Sequence, residues 1–316
     1  MKNFVRILVM ALALCVLATA ALAEVPSQQL TIGTASSGGA FYTIGTGLAE
    51  VITQNVGPLN VTAEITGGST ENIRLVGEGE SDLGLSNADV VAYALEGAAP
   101  YNKVYELKAI CALHSSVLHI VTLENTGVNS VADLKGKKVA VGPAGGGSIN
   151  GIDFVLRAAG MSLDDIDCSY LSYDDGITQL KDGQVDAALV MAGYPASSIL
   201  SLGATDKVKL VGIDDELMEK VIELAPYFYK ATVPASVYST DTDTTVVGVK
   251  NIVYCTDDLS EETVYEITKS LVENMDTLVT YHNALSKLTA EDLAAVGSVP
   301  LHAGAEKYYR EAGLIK

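Results

Sequence analysis

Two stretches near the N-terminus follow one plan and limit the possible folds more than any other feature. Residues 30–33 and 61–65 are short apolar runs of strand character. Each enters a loop of Gly, Ser and Thr, and each loop opens a segment of helical periodicity, 42–54 and 70–78. Strand, small-residue loop and helix together form the unit of a parallel α/β sheet. Small residues let a backbone approach a ligand closely. The first N–H groups of a helix lack intrahelical partners and carry partial positive charge. Two such starts side by side would lie at the carboxyl edge of the sheet, where open α/β sheets bind ligands. The stretch 30–72 therefore reads as a cradle for a small anion.

The remaining chain continues the plan. Strands are expected at 83–86 and 107–114, with a helix at 89–96 between them. Residues 114–123 are β-rich with no helix beside them and read as a crossover. A second series follows: strand 138–141, loop Gly142–Ser148, helix 149–159, strand 167–171, helix 174–181, strand 186–191 and a small-residue loop into another helix near 199. Strand 207–213 and helix 217–224 come next, then an aromatic, irregular segment, 227–238. Residues 244–256 form a second β-rich crossover, and helices are expected at 260–274, 276–286 and 307–313. The architecture expected is α/β, two lobes joined by two crossover strands with a ligand cleft between them. Lobe 1 takes residues 24–116 and 250–316, and lobe 2 takes residues 117–249.

The 316 residues suffice for two domains, and 48% hydrophobic content supplies each with a core. The net charge of −19 argues against nucleic acid as a partner, and means that any anion site must be built locally. Lys2 and Arg6, the apolar run 7–20 and Ala21-Leu22-Ala23 form a secretory signal peptide, with cleavage expected after Ala23. Its removal takes the charge from −19 to −21, because two cations leave. Cys15 lies in the apolar run behind Leu14, which does not suit lipidation. Cys111, Cys168 and Cys255 read as buried free thiols, with one disulfide open as an alternative that the sequence does not pair.

Catalytic constellations are missing from the sequence. There is no G-x-S-x-G elbow around Ser36, Ser69 or Ser148. His114, His119, His282 and His302 lack the i, i+4 pairing of a zinc site, so no metal is expected, and His114 and His119 read as structural or hinge residues. Asp164, Asp165, Asp167, Asp174 and Asp175 read as solvated loop and helix-start residues. Residues 142–148 lack the Lys-Ser/Thr of a phosphate-binding loop. Any one loop alone would serve turns and packing equally well. Four loops, two per lobe, each where a strand hands over to a helix, favour binding, and with no nucleophile or base beside them, binding without transformation.

At residues 31–52, 65–90, 134–148, 182–195 and 264–274 the chain resembles the solute receptors of the TAXI class, the substrate-binding subunits of TRAP-type secondary transporters. That resemblance implies a type II periplasmic-binding-protein-like fold and a periplasmic, monomeric receptor without cofactor. The receptor would capture a small carboxylate, glutamate or a dicarboxylate such as 2-oxoglutarate, and hand it to a TRAP membrane permease. A sensory receptor or a secreted enzyme using the same cleft is the alternative. Carried over by position, the ligand-binding residues would be Gly38, Gly39 and Tyr42; Thr66, Gly67, Gly68, Ser69 and Asn72; Asn87, where family members often have Gln; Gly145, Gly146, Gly147 and Ser148; and Gly193, Tyr194 and Pro195. The other receptor class of these transporters clamps a carboxylate with an arginine. Here Arg74 and Arg157 read as surface residues, which leaves the anion to backbone amides and hydroxyls.

Overall fold

The structure is a computed structural model and describes residues 25–316. The signal segment and Cys15 lie outside the described residues. In chain order the elements are β1 (Gln28–Gly33), α1 (Ala40–Asn55), β2 (Leu59–Glu64), α2 (Ser69–Gly77), β3 (Leu83–Asn87), α3 (Ala88–Glu96) and β4 (Lys108–Thr122). Then come β5 (Lys138–Gly142), α4 (Gly147–Ala158), β6 (Asp167–Tyr170), α5 (Tyr173–Lys181), β7 (Ala187–Ala192), α6 (Ser197–Gly203), β8 (Lys209–Leu210), α7 (Asp215–Leu224) and β9 (Phe228–Val233). The chain finishes with α8 (Ala235–Tyr238), β10 (Thr244–Cys255), α9 (Glu261–Glu273), α10 (Met275–Leu278), α11 (Ala290–Ala294) and α12 (Ala303–Glu311).

The strands share one sheet in the order β2-β1-β3-β10-β4-β7-β5-β6, with β8 beside β4 and β9 beside β10. Within each half, the strands that alternate with helices are parallel: β1 with β2 and β3, and β5 with β6 and β7. The halves meet along β4 and β10, which are antiparallel to each other and to their neighbours. Both are almost wholly buried, as expected of central strands covered on both faces. On β10, Asn251–Tyr254 pair with β3 of the first half, while Thr244–Val249 pair with β9 of the second. The side chains follow the same division. Val247 and Val249 pack with the core of the second half, Val253 and Cys255 with that of the first.

Several boundaries differ from the sequence reading. The strand and crossover expected at 107–123 form one continuous strand, β4 (Lys108–Thr122). The segment expected to be irregular, 227–238, contains β9, paired with β10 over six residues. That pairing is tertiary and leaves no local signal. The expected helix 276–286 is only the short α10 and a tight turn at Asn283–Leu285, and α11 was not expected. Cys111 and Cys255 are buried free thiols and Cys168 is a half-buried one; burial alone pushes the Cys111 thiol up to about 12. Among the described residues no helix is long and apolar enough to cross a membrane.

Candidate functional site

The Gly-rich loops that meet at the cleft follow the carboxyl ends of β1, β2 and β5. Three helices that begin there, α1, α2 and α4, start at glycine: Gly39, Gly68 and Gly146, none offering a side chain to cap the helix. Gly68 has φ +109°, a backbone conformation that a side chain would strain. Apart from bonds within their own helices, the amides of Ala40, Phe41, Ser69, Gly147 and Ser148 have no partner among the described residues.

These starts surround one narrow cavity of about 20 Å³ between the two halves, room for about one water. Gly39, Gly67, Gly68, Ser69, Asn87, Gly146 and Gly147 of the expected set line it. Ala35, Ala40, Phe41, Pro143, Tyr173 and Met191 complete the wall. No Lys, Arg, Asp or Glu is among these residues. An anion there would rest on amide dipoles, which are effective in a site shielded from water.

The other expected residues take different places. Asn72 is fully buried behind the cavity; its Nδ2 donates to the carbonyls of Gly33, Thr34 and Leu85 at 3.1, 2.7 and 2.8 Å. Its Oδ1 accepts from Thr66 Oγ1 at 2.6 Å. Asn72 and Thr66 therefore hold the α2 start in place and do not face the cavity. Ser148 Oγ donates to the Val141 carbonyl at 2.7 Å, tying α4 back onto β5. Tyr42 lies on the half-buried outer side of α1. Gly193 packs against His114, and Tyr194 Oη donates to the Thr232 carbonyl at 3.2 Å. Gly193, Tyr194 and Pro195 thus stand at the crossover strands, outside the cavity lining, because β7 ends beside β4. Arg74 pairs with Glu78 and Glu80, and Arg157 with Asp153, all on the surface.

Gly38 and Gly145 bridge the halves through their carbonyls. Gly145 O accepts from the Thr70 and Glu71 amides at 2.9 and 3.4 Å, capping α2 from across the cleft. Gly38 O accepts from Ser198 Oγ at 3.0 Å, and Ser37 Oγ donates to Asp174 Oδ2 at 3.0 Å. The cleft is closed, and a solute larger than about one water needs the halves to part further. Gly147 has no side chain because the Asn87 amide of the opposite half occupies the space a Cβ would fill.

Sequence reasoning missed Tyr173 and Met191. Tyr173 is buried at the start of α5, its hydroxyl bonded to the backbone of Met191; its position at the end of a strand was the available signal. Met191 reads from sequence only as a strand residue. Phe41 and Ala40 adjoin the glycines already singled out. His119 is held by the Val190 carbonyl and Tyr238 Oη, with burial lowering it to about 4, which fits the structural role expected of it.

The chain matches the NMT1-like family over residues 32–313 and belongs to that family. An Escherichia coli K12 protein named for aliphatic-sulfonate binding is 37% identical over 84 residues, 27% of this chain and 26% of that protein. PhnD1 of Prochlorococcus marinus, solved with methylphosphonate, superposes with a TM-score of 0.56 at 10% identity, covering 92% of this chain and all of that one. A Bordetella bronchiseptica protein superposes with a TM-score of 0.53 at 17% identity, covering 91% and 89%. The fold is the two-lobed α/β fold of type II solute-binding proteins.

Proposed function

We propose that the protein is a periplasmic solute receptor that captures a small carboxylate in the cleft and passes it to a TRAP-type membrane permease. Glutamate and 2-oxoglutarate are the first candidates. One observation carries the anion reading: three helices, two from one half and one from the other, open without side-chain caps onto a shared cavity that no charged residue lines. The division of the chain at 116/117 and 249/250 supports capture by closure, since β10 changes partners between Val249 and Asn251. The ligand would bridge amides of both lobes, and so would bind the closed form more tightly than the open one. The TAXI-like segments support the permease type.

A second reading has its own support. The relative named for aliphatic-sulfonate binding favours a sulfonate delivered to a permease of the ABC type. A thermal-shift and calorimetric screen of glutamate, 2-oxoglutarate, ethanesulfonate, methylphosphonate and neutral sugars separates the two. A true ligand at 100 times its Kd stabilises the protein by about 2.7 kcal/mol. Response to a carboxylate alone is expected. Response to ethanesulfonate alone moves the assignment to the second reading, and response to a sugar alone overturns the anion site.

A further inference from the structure

Helices α3 and α4 come from opposite halves and meet at two levels. At the cavity, the Asn87 amide at the head of α3 occupies the space a Cβ on Gly147 would fill. That side chain is engaged by Ser69 and by Asn251 on β10, which faces His114 on β4, and so does not turn back to cap α3. Further along, Tyr93 of α3 stacks on Phe154 of α4, with ring centroids 6.1 Å apart and planes inclined by 18°. Each helix gives another face to its own core: Val90, Val91 and Ala94 to that of the first half, Ile152, Val155 and Leu156 to that of the second. The face of α3 turned to the other half carries Asp89 and Tyr93. The matching face of α4 carries Asn150 and Phe154. Each pair is four residues apart and lies on one side of its helix.

Asp89 and Asn150 therefore stand one turn below the stacked rings, between them and the cavity. Asp89 is 1% exposed. Its Oδ1 and the Asn150 Nδ2 are both buried without a hydrogen-bond partner among the described residues. An acceptor left over on one half is set towards a donor left over on the other. No unpaired cation among the described residues stands by to hold a charge there. Arg157 lies over the Phe154 ring and pairs with Asp153. On α2, packed beside α3, Glu71 accepts from the Gly67 amide and Arg74 pairs with Glu78 and Glu80. On β10, Lys250 pairs with Asp292. Tyr93, Tyr101 and Tyr227 are neutral, because burial, with the Asp89 charge adding to it, pushes all three up. Glu96 at the far end of α3 adds only repulsion. A carboxylate shut into this seam is costly, and the neutral acid is not. In the closed protein desolvation raises the Asp89 carboxyl to about 7. Parting α3 from α4 gives it water and returns it towards the usual carboxylate range.

We propose that Asp89 is a proton site coupled to capture: closing α3 against α4 draws a proton from solvent onto the Asp89 carboxyl, whose Oδ1 then accepts from Asn150 Nδ2 across the cleft, and ionisation favours release. The inference rests on capture by closure, and not on which solute the cavity takes.

Two measurements test it. Small-angle X-ray scattering of the protein without added solute reads closure alone. From pH 6 to pH 8 the radius of gyration should rise in the wild type and stay constant in Asp89→Asn, which is neutral at both. A wild-type radius independent of pH, or one that rises equally in the variant, overturns the inference. Calorimetry with 2-oxoglutarate as the probe reads the coupling. Wild-type affinity should fall about 10-fold over the same range, as expected for one proton taken up with a midpoint near 7. Asp89→Asn should change less than about 2-fold. A wild-type affinity that does not fall, or an equal fall in the variant, also overturns the inference. If 2-oxoglutarate does not bind at all, the carboxylate function fails, and the scattering comparison still decides the proton site.

Discussion

Three helices around the cleft begin unlike four on the outer faces of the molecule, although α5, whose first residue Tyr173 also lines the cavity, is capped by Ser172. Outside, α7, α9, α11 and α12 are capped by Asp214, Ser260, Thr289 and His302, each accepting from an amide of the first turn. At the cleft, α1, α2 and α4 begin at Gly39, Gly68 and Gly146 and have no such acceptor. A capping side chain satisfies an otherwise orphaned amide and is worth about 1 kcal/mol. Leaving it out three times around one cavity forgoes local stability and keeps the donors for something else. The helix α3 falls between the two. Its cap residue, Asn87, is engaged elsewhere, and the buried Asp89 carboxylate sits in its first turn instead.

A start without a side-chain cap needs another anchor, and for α2 Asn72 serves beside the Gly145 carbonyl. The Asn72→Ala variant removes the donor that the carbonyls of Gly33, Thr34 and Leu85 share and leaves the Thr66 hydroxyl only the Thr34 carbonyl. It should lose about 3 kcal/mol in urea unfolding. A loss under about 1 kcal/mol would mean that the glycine start holds itself. Restoring a cap at the cleft breaks the contrast from the other side. Gly39→Asp supplies an acceptor for the α1 amides and places negative charge in the cavity. Anion affinity should fall about 100-fold at an unchanged or raised melting temperature; unchanged affinity would take α1 out of the site.

The in-between case, α3, is tested by pH. Desolvation pushes the Asp89 carboxyl from its usual 3.8 up to about 7, against the opposing pull of the Val90 and Asp89 amides. The folded protein therefore holds this proton more tightly than the unfolded chain does. The stability it confers is complete below about pH 4, declines as pH rises towards 7, and is gone above that. Asp89→Asn should flatten this part of the stability–pH curve and be the more stable protein at pH 8, on the order of 2 kcal/mol. A variant less stable than wild type at pH 8 would mean that the ionised carboxylate is a needed cap for α3. The smallest effect belongs to the outer helices. Ser260→Ala should lose about 1 kcal/mol and leave ligand affinity unchanged; an altered affinity would show that the two kinds of helix start are not independent.

Much of this was legible before the structure. The alternation of strands and helices, the four small-residue loops and the two β-rich crossovers are local patterns, and the sheet is built from them. Of the residues expected to bind ligand, the junction glycines Gly39, Gly67, Gly68, Gly146 and Gly147 line the cavity. The motif around Asn72 was read as uniformly ligand-facing, yet its amide points inward. A polar residue in the first turn of a helix looks the same in sequence whether it faces a ligand or locks a loop. Gly193, Tyr194 and Pro195 have loop composition, but β7 pairs with β4 and so ends at the crossover strands.

What the sequence by itself determined are the properties that depend on neighbours along the chain: the secondary-structure units and the glycine starts. The tertiary structure alone decided which starts converge and which side chains stand behind them. It set Gly147 of one half against Asn87 of the other, capped α2 with the Gly145 carbonyl from across the cleft, and joined Ser69 to His114 through Asn251. The last of these joins residues 18 to 164 positions apart, because β3, β10 and β4 lie side by side. Such partners follow from the order of strands in the sheet, which no local propensity encodes.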